Sequence, residues 1–255
     1  MTNLFDLTGK NAIVTGASSG LGVQFAKALA RQGANVALVA RRLEKLEQTK
    51  AEVEKFGVKA IAIKCDVLNN DEIRRAVEEV KTTFGRIDIL VNNAGTATSA
   101  PTVEHSDEEW YRVINTNLNS VFIFAREVGK VMVEQKYGKI INIGSIHSKV
   151  AMPGSPLVAY ATSKGGVLMM TKALAAEWAS QGITVNAIGP SYFESEMTDA
   201  VLGVPEVRAI IEKLAPAGRV GKPGELDGAL IYFASDASSF TTGQLLNVDG
   251  GWTTV

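Results

Sequence analysis

Seven short runs of apolar and β-branched residues recur along the chain: "NAIVTG", "NVALVA", "KAIAIKCDV", "IDILVNNAG", "KIINIGS", "ITVNAIGP" and "GQLLNVDGG". Segments with helical hydrophobic spacing separate them. A strand that is apolar on both sides must be covered on both faces, and its parallel neighbour is reached only through a crossover of about a dozen residues, usually a helix. The intervening segments meet that need. "LGVQFAKALARQG" places Val23, Phe25, Ala26, Leu29 and Ala30 near one face, with Gly33 as a stop. "NDEIRRAVEEVKTTFG" opens on an Asn or Asp cap and closes on Gly85. A long helical pattern runs from about Asp107 to Lys136, and "SYFESEMTDAVLGVPEVRAIIEKL" predicts two short helices. The pattern predicts one α/β domain over residues 1–255, a doubly wound parallel seven-stranded sheet with helices on both faces. No internal repeat, low-complexity tract or linker interrupts it.

Composition closes off several classes of function. The formal net charge of −1 supplies no global field toward nucleic acid or an anionic membrane surface. No apolar run reaches the roughly 18 residues of a membrane span, so neither nucleic acid nor membrane is expected as a partner. The N-terminus "MTNLFDLTGK" lacks a basic segment followed by an apolar one, and the single cysteine, Cys65, cannot form an intramolecular disulfide. A cytoplasmic location follows as the expectation. Two histidines and one cysteine make no thiolate–imidazole metal cluster, so no metal site is expected. Cys65 reads as a small buried hydrophobe, and His105 as a loop residue.

"TGASSGLG" joins the first strand to the first helix. Gly16, Gly20 and Gly22 let the backbone turn tightly around Ser18, Ser19 and Leu21, and the helix beyond offers free N–H groups and a positive dipole end to a diphosphate. The spacing is G-x-x-x-G-x-G, not the common G-x-G-x-x-G, and a ligand-free glycine turn is the alternative. The second strand bears on the choice. Where a dinucleotide fold carries an acidic residue for a ribose 2′-hydroxyl, this chain has Ala40, followed by Arg41 and Arg42. A guanidinium binds a 2′-phosphate that a carboxylate would repel. NADP(H) is therefore expected over NAD(H), with NAD(H) possible if both arginines are merely solvated. Asp66, followed by Val67, ends the third strand, where its carboxylate can meet an adenine or cap the next segment. "NNAG" (92–95) ends the fourth, where Asn93, Ala94 and Gly95 leave room for a ribose or simply make a turn.

"SPLVAYATSKGGV" sets Tyr160 one helical turn before Lys164. Taken in order, "TGASSGLG", "NNAG", "INIGS" and "YATSK" resemble the motifs of the short-chain dehydrogenase/reductase family over essentially the whole chain, to "NVDGG". Within that family the chain is similar to gluconate 5-dehydrogenases, 3-oxoacyl-carrier-protein reductases and hydroxysteroid dehydrogenases, with "KIINIGSIHS" and "YFESEMT" nearest the first. The resemblance implies a Rossmann-type fold and a catalytic group of Asn117, Ser145, Tyr160 and Lys164. Asn115 and Asn119 compete with Asn117 for register within "NTNLNS". In carbonyl reduction Tyr160 would donate the proton, Ser145 would hold the substrate oxygen, and Lys164 would lower the Tyr160 pKa and bond the nicotinamide ribose. Asn117 would hold a relay water.

Around the nicotinamide the resemblance points to Pro190 and Ser195, where the chain departs from the family pattern. Ser191 stands where glycine is usual, and it would strain the backbone if φ there were positive. Ser195 stands where threonine is usual. The segment between Ser145 and Tyr160, with His147, is expected to line the substrate pocket together with Tyr192, under a lid of about residues 191–215. Glu194 and Glu196 in that lid would repel an anionic sugar acid if they faced the pocket; charged residues there are usually solvated. The expected substrate is a small-molecule carbonyl or alcohol, and the expected assembly a homotetramer or dimer through "VFIFA", "VLMM" and the C-terminus. A sugar-nucleotide epimerase or dehydratase would need a larger C-terminal domain. A non-catalytic dinucleotide sensor would not need Ser145, Tyr160 and Lys164 together.

Overall fold

Successive side chains of a strand leave the sheet on opposite faces. In a computed structural model of the chain, which describes residues 3–196 and 198–254, this alternation sorts the core into two layers. The strands are β1 (Asn11–Thr15), β2 (Asn35–Ala40), β3 (Ala60–Lys64), β4 (Ile89–Asn92), β5 (Gly138–Ile143), β6 (Ile183–Pro190) and β7 (Leu245–Val248). Between them run α1 (Gly20–Arg31), α2 (Leu43–Glu54), α3 (Asn70–Phe84), α4 (Asp107–Ile114), α5 (Ser120–Gln135), α6 (Val158–Trp178), α7 (Asp199–Leu202), α8 (Pro205–Leu214) and α9 (Asp227–Ala234). Among the described residues the sheet is seven-stranded and parallel, in the order β3-β2-β1-β4-β5-β6-β7.

Ala12, Val14, Val36, Leu38, Ile89 and Val91 face one layer and pack with Phe25 and Leu29 of α1 and with Leu230 and Phe233 of α9. Their strand neighbours Ile13, Ala37, Val39 and Leu90 face the other and pack with α3, α5 and α6 through Ile73, Phe124, Val128 and Leu174. Each fully buried side chain of this size contributes roughly 1.5–3 kcal/mol relative to exposure. The single-domain Rossmann-type architecture expected from the sequence is thus present.

Helix ends follow local chemistry. The Asn69 side chain accepts from the backbone N–H groups of Asp71 (3.0 Å) and Glu72 (3.3 Å) at the start of α3, and Gly85 closes it at φ 78°. The pattern from Asp107 to Lys136 is not one α-helix. Between α4 and α5, Asn115–Asn119 form a π turn, a widened turn that often marks a functional position. The buried Asn117 amide bonds both backbone groups of Thr96 from within it. Periodicity over a 30-residue window does not register one added residue.

β1 lies between β2 and β4, so the chain reverses its travel across the sheet there. The loops after these strands part and leave a crevice at their carboxyl ends. Beyond β5 and β6 a smaller apolar cluster joins Ile146, Leu202, Ile211, Val220 and Trp252, with Tyr192 against it. The segment 191–215, expected as a lid, contributes Leu202, Ile211 and Ala215 to this cluster; Met197 within it lies outside the described residues. Ser191 does not strain the backbone, because Lys136 is the one non-glycine residue at positive φ among those described. No described helix is long and apolar enough to cross a membrane.

Candidate active site

The glycine turn and "NNAG" form one structure. Gly16 (φ 69°) and Gly20 (φ 53°) occupy the left-handed region. Gly22 is required for a different reason: a Cβ there would lie 2.2 Å from the Gly16 carbonyl oxygen and 2.8 Å from Asn93 Nδ2. Asn93 Nδ2 donates to the Thr15 carbonyl (2.9 Å), and the N–H groups of Asn93 and Ala94 donate to Thr15 Oγ1 (2.9 and 3.0 Å). The Asn93 amide therefore ties the turn to β4 as well as standing near a ligand site. Ser19, extended at φ −166°, precedes α1 without a side-chain cap, so the first-turn N–H groups remain for another acceptor.

This turn forms one wall of a cavity of about 350 Å³. Gly16, Ser18, Ser19, Gly20, Leu21, Arg41, Arg42, Asp66, Val67, Asn93, Ala94, Gly95, Tyr160, Lys164, Pro190 and Ser195 all line it. Gly22, also expected to bind the cofactor, instead lies buried beneath the turn. The uncapped N-terminus of α1 and the side-chain-free floor at Gly95 fit a dinucleotide. A Cβ at Gly95 would sit 3.4 Å from Asn117 Oδ1 and 3.8 Å from Lys164 Nζ. Asp66 has a local role as well, since its Oδ1 accepts from the Leu68 N–H at 3.0 Å. Arg42 does not point freely into solvent: its fork donates to Ser18 Oγ (3.2 and 3.3 Å), Ser19 Oγ (2.7 Å) and Glu196 Oε2 (3.0 Å).

Tyr160 and Lys164 share the opposite wall, with Lys164 Nζ 5.6 Å from the Tyr160 ring centroid. Small residues bring α6 close to the π turn; a Cβ at Gly166 would meet Leu118 Cδ2 at 2.9 Å. That approach lets Asn117 Nδ2 donate to Ser163 Oγ (3.0 Å) and to the Thr96 carbonyl (2.8 Å), while Oδ1 accepts from the Thr96 N–H (2.8 Å). Both amide protons are spent, and one Oδ1 lone pair remains for a water. Asn115 and Asn119 are exposed and bond each other at 2.7 Å, so burial separates Asn117 from its neighbours. Ser145 Oγ accepts from the His147 N–H (3.1 Å), which caps a short turn, and its own proton is left for the Tyr160 phenol that it contacts.

The expected electrostatics change in one respect. Burial is the largest influence on Tyr160 and raises its pKa; contact with Ser145 lowers it and Tyr192 raises it further. Lys164 is not among the groups that shift it. Lys164 is itself 5% exposed, donates to the Ile143 carbonyl at 2.7 Å, and is held at about 8 by burial, below its ordinary 10.5. Below pH 8 Lys164 is charged in both folded and unfolded chains. Between pH 8 and 10.5 the folded protein has shed a proton that the unfolded chain keeps, so the stability from this group rises with pH. Urea unfolding should show wild type gaining up to about 3 kcal/mol relative to Lys164→Met across that window. Parallel pH curves for the two proteins would contradict the shift.

The substrate side departs from expectation. Ser145, His147 and Tyr192 do not line this cavity, and neither does any residue from 146 to 159. Ile146, Val150, Met152 and Tyr192 are instead drawn into the apolar cluster with Trp252 and α8. His147 still stands beside the site, its ring centroid 6.0 Å from that of Tyr160 in an edge-to-face arrangement. Glu194 pairs with Arg208 (3.2 Å), whereas Glu196 lines the cavity. Sequence reasoning missed Arg112, Thr116, Phe193 and Thr198 on the cavity wall. Arg112, which donates to Thr96 Oγ1 at 2.6 Å, reads in the sequence as one more charge on a solvated helix face. Among the described residues no group of three His, Cys, Asp or Glu side chains is placed to hold a metal ion. Cys65 is fully buried, and burial pushes its thiol up to about 12.

Comparison with known proteins bears on this geometry. A family model described as Enoyl-(Acyl carrier protein) reductase matches residues 16–253. Gluconate 5-dehydrogenase of Gluconobacter oxydans (strain 621H) is 41% identical over 98% of this chain and 97% of its own length. A short-chain type dehydrogenase/reductase from Mycobacterium marinum superimposes with a TM-score of 0.95 at 38% identity, covering 99% of this chain and 98% of that one. A gluconate 5-dehydrogenase from Burkholderia cenocepacia J2315, solved in complex with NADP and tartrate, gives a TM-score of 0.95 at 38% identity, with the same coverage. With the motifs, the sheet order and the Tyr160–Lys164 wall in agreement, the chain belongs to the short-chain dehydrogenase/reductase family and is an oxidoreductase acting on CH–OH and C=O groups.

Proposed function

We propose that this protein transfers hydride between NADP(H) and a secondary alcohol or ketone of a small polyhydroxylated substrate, a sugar acid or polyol. One observation carries the reading: Tyr160 and Lys164 line the same cavity as the glycine turn, with Arg41 and Arg42 at the adenosine end. The bound cofactor supplies or accepts the hydride. The chain's own residues handle the oxygen and the proton. Tyr160 donates its phenolic proton to the carbonyl oxygen in reduction and takes it back, as phenolate, in oxidation. The Ser145 hydroxyl, its lone pair engaged by the His147 N–H, donates to the same oxygen. Lys164, charged below about pH 8, lines the cavity beside Tyr160, where its ammonium would donate to the nicotinamide ribose.

His147 stands beside Tyr160, off the cavity wall. Its Nδ1 lies 3.1 Å from the Val150 carbonyl, which only accepts, so Nδ1 is assigned the proton. Burial lowers the His147 pKa, and a neutral ring leaves the buried Nε2 as an acceptor without a partner among the described residues. The relatives named gluconate 5-dehydrogenase support the sugar-acid class, and the NADP-bound structure supports the cofactor.

The test is turnover of NADPH and NADH against a panel of 5-ketogluconate, sorbose, an acetoacetyl thioester, a steroid ketone and a small diketone. Fastest NADPH consumption is expected with the ketosugar acid or ketose. A tenfold or greater affinity advantage for NADH would overturn the cofactor reading, and turnover of the thioester or steroid alone would overturn the substrate class. The proposed setting is the cytoplasm and the proposed assembly a homotetramer, built on the exposed Phe122 of α5 and Met169 of α6. Light scattering should give four times the chain mass; a monomer would refute it.

A further inference from the structure

Glu196 follows Arg42 by 154 positions, yet the two side chains meet at the adenosine end of the cavity. Glu196 Oε2 accepts from Arg42 Nη2 at 3.0 Å, and Oε1 accepts from Lys45 Nζ at 2.8 Å. The same Arg42 nitrogen donates to Ser19 Oγ at 2.7 Å. A guanidinium, an ammonium and the Ser19 hydroxyl thus meet one carboxylate, a donor set that also suits a phosphate monoester. Bonds from Lys45 first, then Arg42 and Ser19, hold the Glu196 carboxyl down at about 2, so it is an anion at neutral pH. Its backbone comes from the segment after β6, where the neighbouring Ser195 packs over Gly20, its Cβ 3.3 Å from where a Gly20 Cβ would be.

We propose that Glu196 is a cofactor-specificity residue whose carboxylate competes with the 2′-phosphate of NADP(H) for Arg42 and Lys45, so that it weakens NADP(H) selectively and narrows discrimination against NAD(H). The inference rests on the reading that this end of the cavity takes the adenosine ribose. Two anions cannot share one guanidinium and one ammonium without repulsion. A phosphate, carrying nearly two negative charges and three acceptor oxygens, prevails only by displacing the carboxylate. Displacement is feasible because the Glu196 side chain is 50% exposed and can turn into solvent. A 2′-hydroxyl carries no charge and does not contest the pair. The ion pair is too exposed to be needed for folding, so its removal reads out on binding.

The experiment titrates the full chain with NADPH and with NADH by nicotinamide fluorescence, for wild type, Glu196→Gln, Arg42→Ala and the double variant. Glu196→Gln is expected to tighten NADPH about fivefold, as a competing charge is removed from the phosphate's partners, and to leave NADH within about twofold. In the Arg42→Ala background the same substitution should tighten NADPH by less than it does in wild type, because only Lys45 is left to contest. Normal NADPH binding with an unchanged NADPH-to-NADH ratio in Glu196→Gln overturns this inference alone, and so does equal tightening of both cofactors. Failure of wild type to bind NADPH overturns the cofactor reading and this inference with it.

Discussion

Tyr160→Phe should lower kcat for carbonyl reduction by about 10²–10⁴-fold, the range that positioned proton transfer supplies, while the NADPH Kd stays within about twofold. The substitution removes one oxygen from a half-buried ring on the cavity wall and leaves the ring's packing in place. Lys164 keeps its bond to the Ile143 carbonyl and Asn117 keeps Thr96 and Ser163, because neither network runs through the phenol. The loss should therefore fall on the chemical step and spare the cofactor. Stopped-flow turnover with a saturating ketone and a parallel fluorescence titration separate the two. If the variant turns over at near wild-type rate, Tyr160 is not the acid.

Gly22→Ala should act on binding. The added methyl would lie 2.2 Å from the Gly16 carbonyl oxygen, a backbone atom with no flexible end to yield. Either the turn or α1 must move, at about 1–3 kcal/mol for overpacking. Displacing the turn also misaligns the N–H groups proposed for the diphosphate, and an NADPH Kd raised by at least about tenfold is expected, since shifts near 1 Å cost up to about 10²-fold. Gly57→Ala is the control: Gly57 sits at φ 81° with nothing within 4 Å of the added methyl, so it pays backbone strain alone. Calorimetry should show a lower Tm for both variants, and weakened NADPH binding for Gly22→Ala only. Unimpaired binding in Gly22→Ala would refute the placement of the diphosphate.

Both of these residues belong to features that are visible in the sequence. Tyr160 and Lys164 lie one helical turn apart, so their adjacency is a local property. The glycine turn is local as well, and Gly16, Ser18, Ser19, Gly20 and Leu21 stand together on the cavity wall. Asn117 was singled out in the sequence with Asn115 and Asn119 as rival registers, and its burial in the π turn sets it apart from both. The segment from 146 to 159 did not line the cavity because Ile146, Val150 and Met152 pack with Leu202, Ile211 and Trp252, partners far off along the chain. The Tyr160 pKa followed burial and not the charge one turn away, and burial is a sum over many distant neighbours.

The amino-acid sequence by itself determined the parallel sheet, its two covered faces, the glycine turn and the Tyr160–Lys164 pair. All of these follow from periodicity and neighbours within a turn or a strand. The tertiary structure alone decided that Glu196 closes on Arg42 and Lys45, that Gly22 presses on Asn93, and that Asn117 reaches Thr96 and Ser163. The physical reason is common to the three: each contact joins segments far apart in the chain that the sheet order and the packing of its loops and helices bring together, and no local propensity encodes that arrangement.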